Sequence, residues 1–445
     1  MMETFRNFNE WLSNSVLVKL SSIGFMILIL LIPDAMIQSL INERQSVSND
    51  TKTQISEQWG KCQVLTGPVL MIPFMKRETA DGKVTLSREN VYLLPERLAI
   101  SGEVNPEKRH RSIYSIVVYH AVLQISGHFS RPDWNALGID SGLVIRNEAR
   151  LILGVPDMRG IANNVVLRWG DLDFAADPGL QNEDIAGSGM SAPVDWSALD
   201  KGNGVDFSLP LDINGSDMLG FVPVGKETDV DIHSPWKDPS FTGAFLPGES
   251  SITDTGFHAR WKVLHLNRNF PQQWIGNAFK TSDSQFGVRF IVAVDHYQKA
   301  MRSAKYALMF LTLTFAVFFF VEVINKMKIH PMQYLFVGLA LILFYSLLLS
   351  LSEQMPFNFA YLFSTLAIIT MIVLYSRTIF RNPKLVWILG IFLVILYGFL
   401  FILLQMEAYA LLLGSAGLFL VLGSIMYLSR NINWFQPMTQ KGKSE

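Results

Sequence analysis

Residues 304–428 constrain this chain more than any other stretch, because they hold five apolar runs (304–324, 334–351, 357–375, 385–404 and 408–428) separated by short polar joints. A bilayer core of roughly 30 Å takes roughly 20 apolar helical residues, and each run is near that length with almost no internal charge. Such runs predict membrane-spanning helices. Residues 15–41 form an earlier apolar stretch, with Lys19 near its start and Asp34 inside it. It is longer than the apolar region of a signal peptide, and no small-x-small cleavage site follows, since the chain continues Pro33, Asp34, Ala35, Met36. An uncleaved anchor helix is therefore expected, preceded by a polar segment, residues 1–14. The polar run 42–58, with Glu43, Arg44, Asp50, Lys52 and Glu57, reads as the same helix leaving the bilayer as a solvated stalk.

The charge inventory agrees. Of 445 residues 50% are hydrophobic and only 17% charged, and the deficit of charge is concentrated in the last third. The 37 Lys and Arg nearly balance the 38 Asp and Glu, so no global field favours nucleic acid. A single cysteine, Cys62, excludes intrachain disulfides, and it reads as a buried residue.

Between residues 59 and 298 the pattern changes to short alternating segments punctuated by Gly, Pro, Asn and Asp. In residues 112–126, Ile113, Ser115, Val117 and Tyr119 oppose Tyr114, Ile116, Val118 and His120, the period of a strand. Further strands are expected at 84–94, 150–155, 164–169, 205–213, 228–233, 258–266 and 287–294, which predicts an all-β, sandwich-like domain. Residues 187–192 (GSGMSA) read as a mobile loop. The domain plan is thus a helix at 15–41, a stalk at 42–58, a β-rich domain at 59–298, a five-helix block at 299–428 and a tail at 429–445.

Orientation follows from the short joints. With the first helix leaving the cytoplasm, Lys326 and Lys328, Arg377, Arg381 and Lys384, and Arg430, Lys441 and Lys443 all fall inside, whereas the outer joints 352–356 and 405–407 contain no Lys or Arg. This is the positive-inside pattern for six helices with both termini cytoplasmic and the β domain outside. Arg302 and Lys305 depart from it, lying on the outer side just before the second helix. Their expected partners are the acids at that boundary, Asp34, Glu353 and Glu407, with Lys305–Glu353 and Arg302–Asp34 as the first pairs of an outer-face ion network.

Little in the sequence points to catalysis, and neither a cofactor nor a metal is expected. The eight histidines are scattered, no HExxH occurs, and GSGMS and GSAG do not match the G-x-S-x-G of a serine hydrolase. Gly414, Gly417 and Ser424 form a small-residue stripe suited to close helix packing. Glu322 lies four residues before Lys326, which predicts an inner helix-end pair, and it stands about a bilayer away from Glu353, too far for a paired acid and base. In the β domain Trp236, Phe241 and Phe245, among Pro239, Leu246 and Pro247, read either as a packed corner or as a partner surface.

Several blocks carry a family resemblance: residues 330–361 (HPMQYLFVGLALILFYSLLLSLSEQMPFNFAY), 40–44 (LINER), 67–73 (GPVLMIP), 234–247 (SPWKDPSFTGAFLP), 256–261 (GFHARW), 305–322 (KYALMFLTLTFAVFFFVE) and 429–435 (SRNINWF). In that company the chain resembles the CreD family of bacterial inner-membrane, or cell envelope integrity, proteins. The resemblance implies one N-terminal helix, a large periplasmic domain and a C-terminal helical block, with a role in envelope integrity under stress and no defined reaction. Asp34 stands where relatives are typically apolar, and Gln354 where a histidine often follows the glutamate. Three functions stay open: a non-enzymatic envelope protein meeting another envelope component, a transporter or lipid-handling protein, and, ranked last, an enzyme.

Overall fold

The computed structural model describes residues 16–430 apart from 81–82, 112–113, 201–203, 291–295, 326, 328, 381 and 407–408. The chain divides into a helical unit, residues 1–48 with 294–445, and a β unit, residues 49–293.

The first apolar run and the polar run after it are one element, α1 (Val16–Trp59), with Pro33 inside it. A thin stripe of α1 is buried in the helical unit, including Met26, Leu30, Asp34 and Ile41, at spacings that keep one helix face together, and Ser48 is buried further along. The polar residues Asn42, Glu43 and Arg44 beyond it are exposed. From Asn49 on, α1 belongs to the β unit.

The β unit runs through β1 (Gln63–Ala80), β2 (Lys83–Leu93), β3 (Arg97–Arg111), β4 (Tyr114–Phe129), β5 (Arg150–Gly154), β6 (Val166–Trp169), β7 (Leu172–Ala175), β8 (Asp177–Pro178) and β9 (Gly189–Pro193). A short helix, α2 (Trp196–Asp200), precedes β10 (Val205–Ser216), β11 (Met218–Val222), β12 (Glu227–Ser234), β13 (Pro239–Gly243), β14 (Glu249–Thr253), β15 (Gly256–Leu264), β16 (Gln273–Ile275) and β17 (Phe286–Phe290). One sheet has the order β13-β17-β11-β1-β5-β9-β8, with β2 and β16 branching from β1. The other is β14-β15-β12-β3-β4-β10-β6-β7. A common hydrophobic core is drawn from both, for example Val69, Ile72 and Leu151 from the first and Ile100, Leu123 and Leu209 from the second. Alternation does the sorting: in β12 Thr228, Val230, Ile232 and Ser234 are buried while Glu227, Asp229, Asp231 and His233 face out. In β15 Phe257, Ala259, Trp261 and Val263 are buried against the same core.

Two departures from the sequence pattern are instructive. The GSGMSA segment supplies a strand, β9, whose Gly189, Met190, Ser191 and Ala192 are buried. Its small residues are required by packing and do not signal mobility, because a Cβ on Gly189 would stand 2.2 Å from the Leu153 carbonyl oxygen of the neighbouring strand. Secondly, β1 and β3 contain prolines and charges that hide their alternation, yet they are the central strands, β1 pairing with β11 in parallel and β3 with β12 in parallel.

The helical unit continues with α3 (His296–Lys305), α4 (Ala307–Ile324), α5 (Pro331–Ser352), α6 (Phe357–Ile379), α7 (Pro383–Gln405) and α8 (Ala410–Ser429). Helices α1, α4, α5, α6 and α7 are each long and apolar enough to cross a membrane. In α8 the apolar stretch among the described residues is shorter, Leu412–Gly423. A Cβ on Gly417 would meet the Phe399 ring at 2.4 Å, so this member of the small-residue stripe lies close against α7. The expected architecture of N-terminal apolar helix, central two-sheet β region and C-terminal apolar helices is therefore present.

Candidate functional site

A carboxylate inside an apolar helical unit needs donors, and Glu322, only 1% exposed, collects three from three segments. Its Oε1 accepts from Lys19 Nζ of α1 at 2.5 Å and from the Ile329 backbone N–H at 3.2 Å. Its Oε2 accepts from Tyr334 Oη of α5 at 2.9 Å. The start of α5 fixes that tyrosine. Pro331 occupies the first helical turn, His330 Nδ1 accepts from the Met332 N–H at 3.2 Å, and Gln333 Oε1 accepts from the His330 N–H at 3.0 Å, a reciprocal cap. Phe315 and Phe318 of α4 flank the Tyr334 ring, with centroids 5.5 and 5.9 Å away. Both oxygens of the carboxylate are thereby committed to fixed bonds. Lys326, the partner expected from helical spacing, lies outside the described residues.

At the end of the helical unit carrying Glu353, α3 buries Tyr297, Ala300, Ser303 and Ala304 and keeps its cations at the margin. Tyr297 Oη donates to Glu353 Oε1 at 3.1 Å, and Lys305 is exposed, with no Lys305–Glu353 ion pair among the described residues. Arg302 Nη2 donates to the Leu403 carbonyl at 3.3 Å, and Lys299 Nζ to Gln405 Oε1 at 3.4 Å. Both acceptors lie in the last turn of α7, where unpaired carbonyls form the negative end of the helix dipole. Arg302 thus reaches a helix-end carbonyl, and Lys299 a side-chain amide beside it. Asp34 is 5% exposed and accepts from Gln38 Nε2, one turn on, at 2.8 Å; its Oδ1 has no hydrogen-bond partner among the described residues. Glu407, the remaining acid of the expected network, lies outside the described residues.

In the β unit, Trp236, Phe241 and Phe245 are half-buried and pack on the common core. Phe241 meets the Phe257 and Trp261 rings edge-on at 5.8 and 5.6 Å, Phe245 meets Phe286 at 6.0 Å, and Trp236 meets Phe290 at 6.3 Å. Their neighbour Leu246 is 71% exposed. Cys62 is half-buried, and its thiol is pushed up to about 11, by burial first and the Asp217 charge second, so it stays a poorly reactive thiol at neutral pH.

One cluster escapes a search for metal-ligand spacing along the sequence. Asp231 and His233 share the outward face of β12, and His258 faces outward on β15 directly opposite His233. His258 Nε2 lies 2.8 Å and His233 Nε2 3.2 Å from Asp231 Oδ1, and the two imidazoles stack with centroids 4.2 Å apart and planes 13° from parallel. The legible signal was the D-x-H spacing in the strand segment DVDIHS, which places both side chains on one sheet face.

An all-β unit carried between the first and second apolar helices of a multi-helix membrane protein is the class this architecture defines. Within it, the chain matches the family model described as inner membrane protein CreD over residues 15–435. It is also 30% identical over 432 residues to the inner membrane protein CreD of Escherichia coli (strain K12), an alignment covering 96% of this chain and 95% of that protein. The chain belongs to the CreD family of inner membrane proteins.

Proposed function

We propose that this protein is a non-enzymatic component of the cell envelope, acting in envelope integrity under stress through a periplasmic β unit on a membrane base of six helices, with both termini cytoplasmic. The observation that carries this reading is the state of Glu322: its two oxygens take three donors from three segments, so it serves to fasten helices. Continuity of α1 from the apolar stripe into residues of the β unit supports a mechanical role, in which load on the β unit reaches the helices along this helix. The asymmetry of Lys and Arg among the short joints supports the orientation. Another envelope protein or envelope component would meet the β unit at the corner formed by Trp236, Phe241 and Phe245, where Leu246 is exposed.

The test is complementation. A strain lacking the gene should lose resistance to detergent and osmotic challenge, wild-type protein should restore it, and Glu322→Gln should restore it poorly. An undiminished envelope in the deletion strain under those challenges would refute the role. Transport is the second reading, favoured by the buried Asp34 Oδ1, Tyr345 Oη and Tyr397 Oη, which have no hydrogen-bond partners among the described residues. Solute flux in proteoliposomes that Asp34→Asn abolishes would select it.

A further inference from the structure

The eight-stranded sheet presents an outward face patterned with charge. Glu227 pairs with Lys262 at 2.7 Å, and Asp229 holds Arg260 through two bonds at 3.0 and 2.6 Å. Arg260 stands directly opposite Asp231 in the strand register, so its engagement with Asp229 leaves the Asp231 carboxylate to the two imidazoles. At this end of the face the ladder changes from carboxylate and cation to carboxylate and histidine.

The donor atoms of Asp231, His233 and His258 all lie within 4.8 Å of one another. Both Nε2 atoms converge on a single carboxylate oxygen, and neither ring is hydrogen-bonded to a hydroxyl among the described residues, as a hydrolytic triad would require. Ligands around a zinc ion, at about 2.0–2.1 Å from it, stand about 3.3 Å apart, so the 2.8 and 3.2 Å separations need to open by only a few tenths of an ångström. Glu103 faces His233 from the other side, in the register of β3 with β12. With His233, His258, Ser251 and Thr253 it lines a cavity of about 320 Å³. His233 is mostly exposed and the other two side chains are about one-third exposed, so an ion can enter from solvent and complete its coordination with water.

We propose that Asp231, His233 and His258 form a binding site for a divalent transition-metal ion of the zinc and copper class, with water completing the coordination and the Glu103 carboxylate adding negative charge at the cavity. Two imidazoles and a carboxylate suit that class, whereas calcium and magnesium call for oxygen donors alone. Each ligand comes from a strand whose inward neighbours are core residues: Val230 and Ile232 beside Asp231 and His233, and Phe257 and Ala259 beside His258. The strands therefore fix the ligand backbones before any ion arrives. A bound ion would clip β12 to β15 by their side chains, in addition to the backbone ladder.

The test uses the full-length protein in detergent, purified through a tag that contains no histidine and stripped of metal. Calorimetric titration with zinc sulfate should give one ion per chain. His233→Gln and His258→Gln should each weaken binding by about tenfold or more, the double variant should abolish it, and Glu103→Gln should weaken it less. Because these side chains lie on the sheet's outer face, the metal-free melting temperature of each variant should match that of the wild type. Copper(II) bound to the unaltered protein should show hyperfine coupling to imidazole nitrogen in its electron paramagnetic resonance spectrum. Absence of zinc binding, binding that survives in the double variant, a copper spectrum without nitrogen coupling, or magnesium binding as tight as zinc would each overturn the site.

Discussion

Two ion pairs of similar geometry live in opposite surroundings. Lys19 and Glu322 meet at 2.5 Å inside the helical unit, where the carboxylate is almost wholly shielded; Arg260 and Asp229 meet at 2.6 Å on the outer face of a sheet, where water reaches both. The exposed pair is screened and replaceable, and pairs of its kind contribute about 0–1 kcal/mol. The buried pair gains little net stability from being charged, yet loss of one partner strands the other charge away from water. A close contact distance is therefore no measure of importance; the number of donors left for the surviving charge is.

The largest expected effect follows from that difference. Lys19→Ala should destabilise the protein by about 3–5 kcal/mol, since Glu322 would remain in the apolar unit with neutral donors only. Thermal unfolding of full-length protein in nanodiscs checks it. The contact of α1 with α5 offers a second way to separate charge from packing. A Cβ at Gly338 would stand 2.3 Å from Leu30 Cδ1 and 2.8 Å from Phe315 Cζ, so Gly338→Leu should cost about 1–3 kcal/mol by overpacking, read in the same melts.

Smaller effects belong to the β unit. The Arg159 side chain, through its hydrogen bonds, holds the Asp157 carboxyl below the usual carboxylate range, against the opposing effect of burial. A depressed native value means that the stability from this pair is intact above the ordinary carboxylate value of about 4 and fades as pH falls through the native one. Because Arg159 is 60% exposed, solvent screens the pair and the loss should be small. Asp157→Asn should flatten that part of the acid limb in pH-dependent melts. Smallest of all, Asp229→Asn should change stability by less than about 1 kcal/mol, and 1 M salt should erase the difference, as it should not for Lys19→Ala.

The legibility of each region follows the same division. Helices announced themselves by length and hydropathy, and strands such as β10 and β12 by alternation, because burial on one face writes directly into residue order. Pairing across long separations did not. Glu322 was visible as a carboxylate needing a cation, yet nothing in helical spacing points to Lys19, which lies 303 residues away in the chain. His258 gains its meaning only from the register that sets it opposite His233, and β9 only from the close approach of its glycine to β5. Arg302 was visible as a cation without a local acid, and one of its acceptors is a backbone carbonyl, to which residue type gives no clue.

The central claim is that a buried charge pair fastens α1 to the C-terminal helices. A double-mutant cycle on Lys19→Met and Glu322→Gln, measured as unfolding free energies of the full-length protein in nanodiscs, tests it most directly. The two single variants should each lose far more than the double variant implies, with a coupling energy of about 1–3 kcal/mol. Losses that add to within about 0.5 kcal/mol would show that the two residues act independently, and the fastening account would fail.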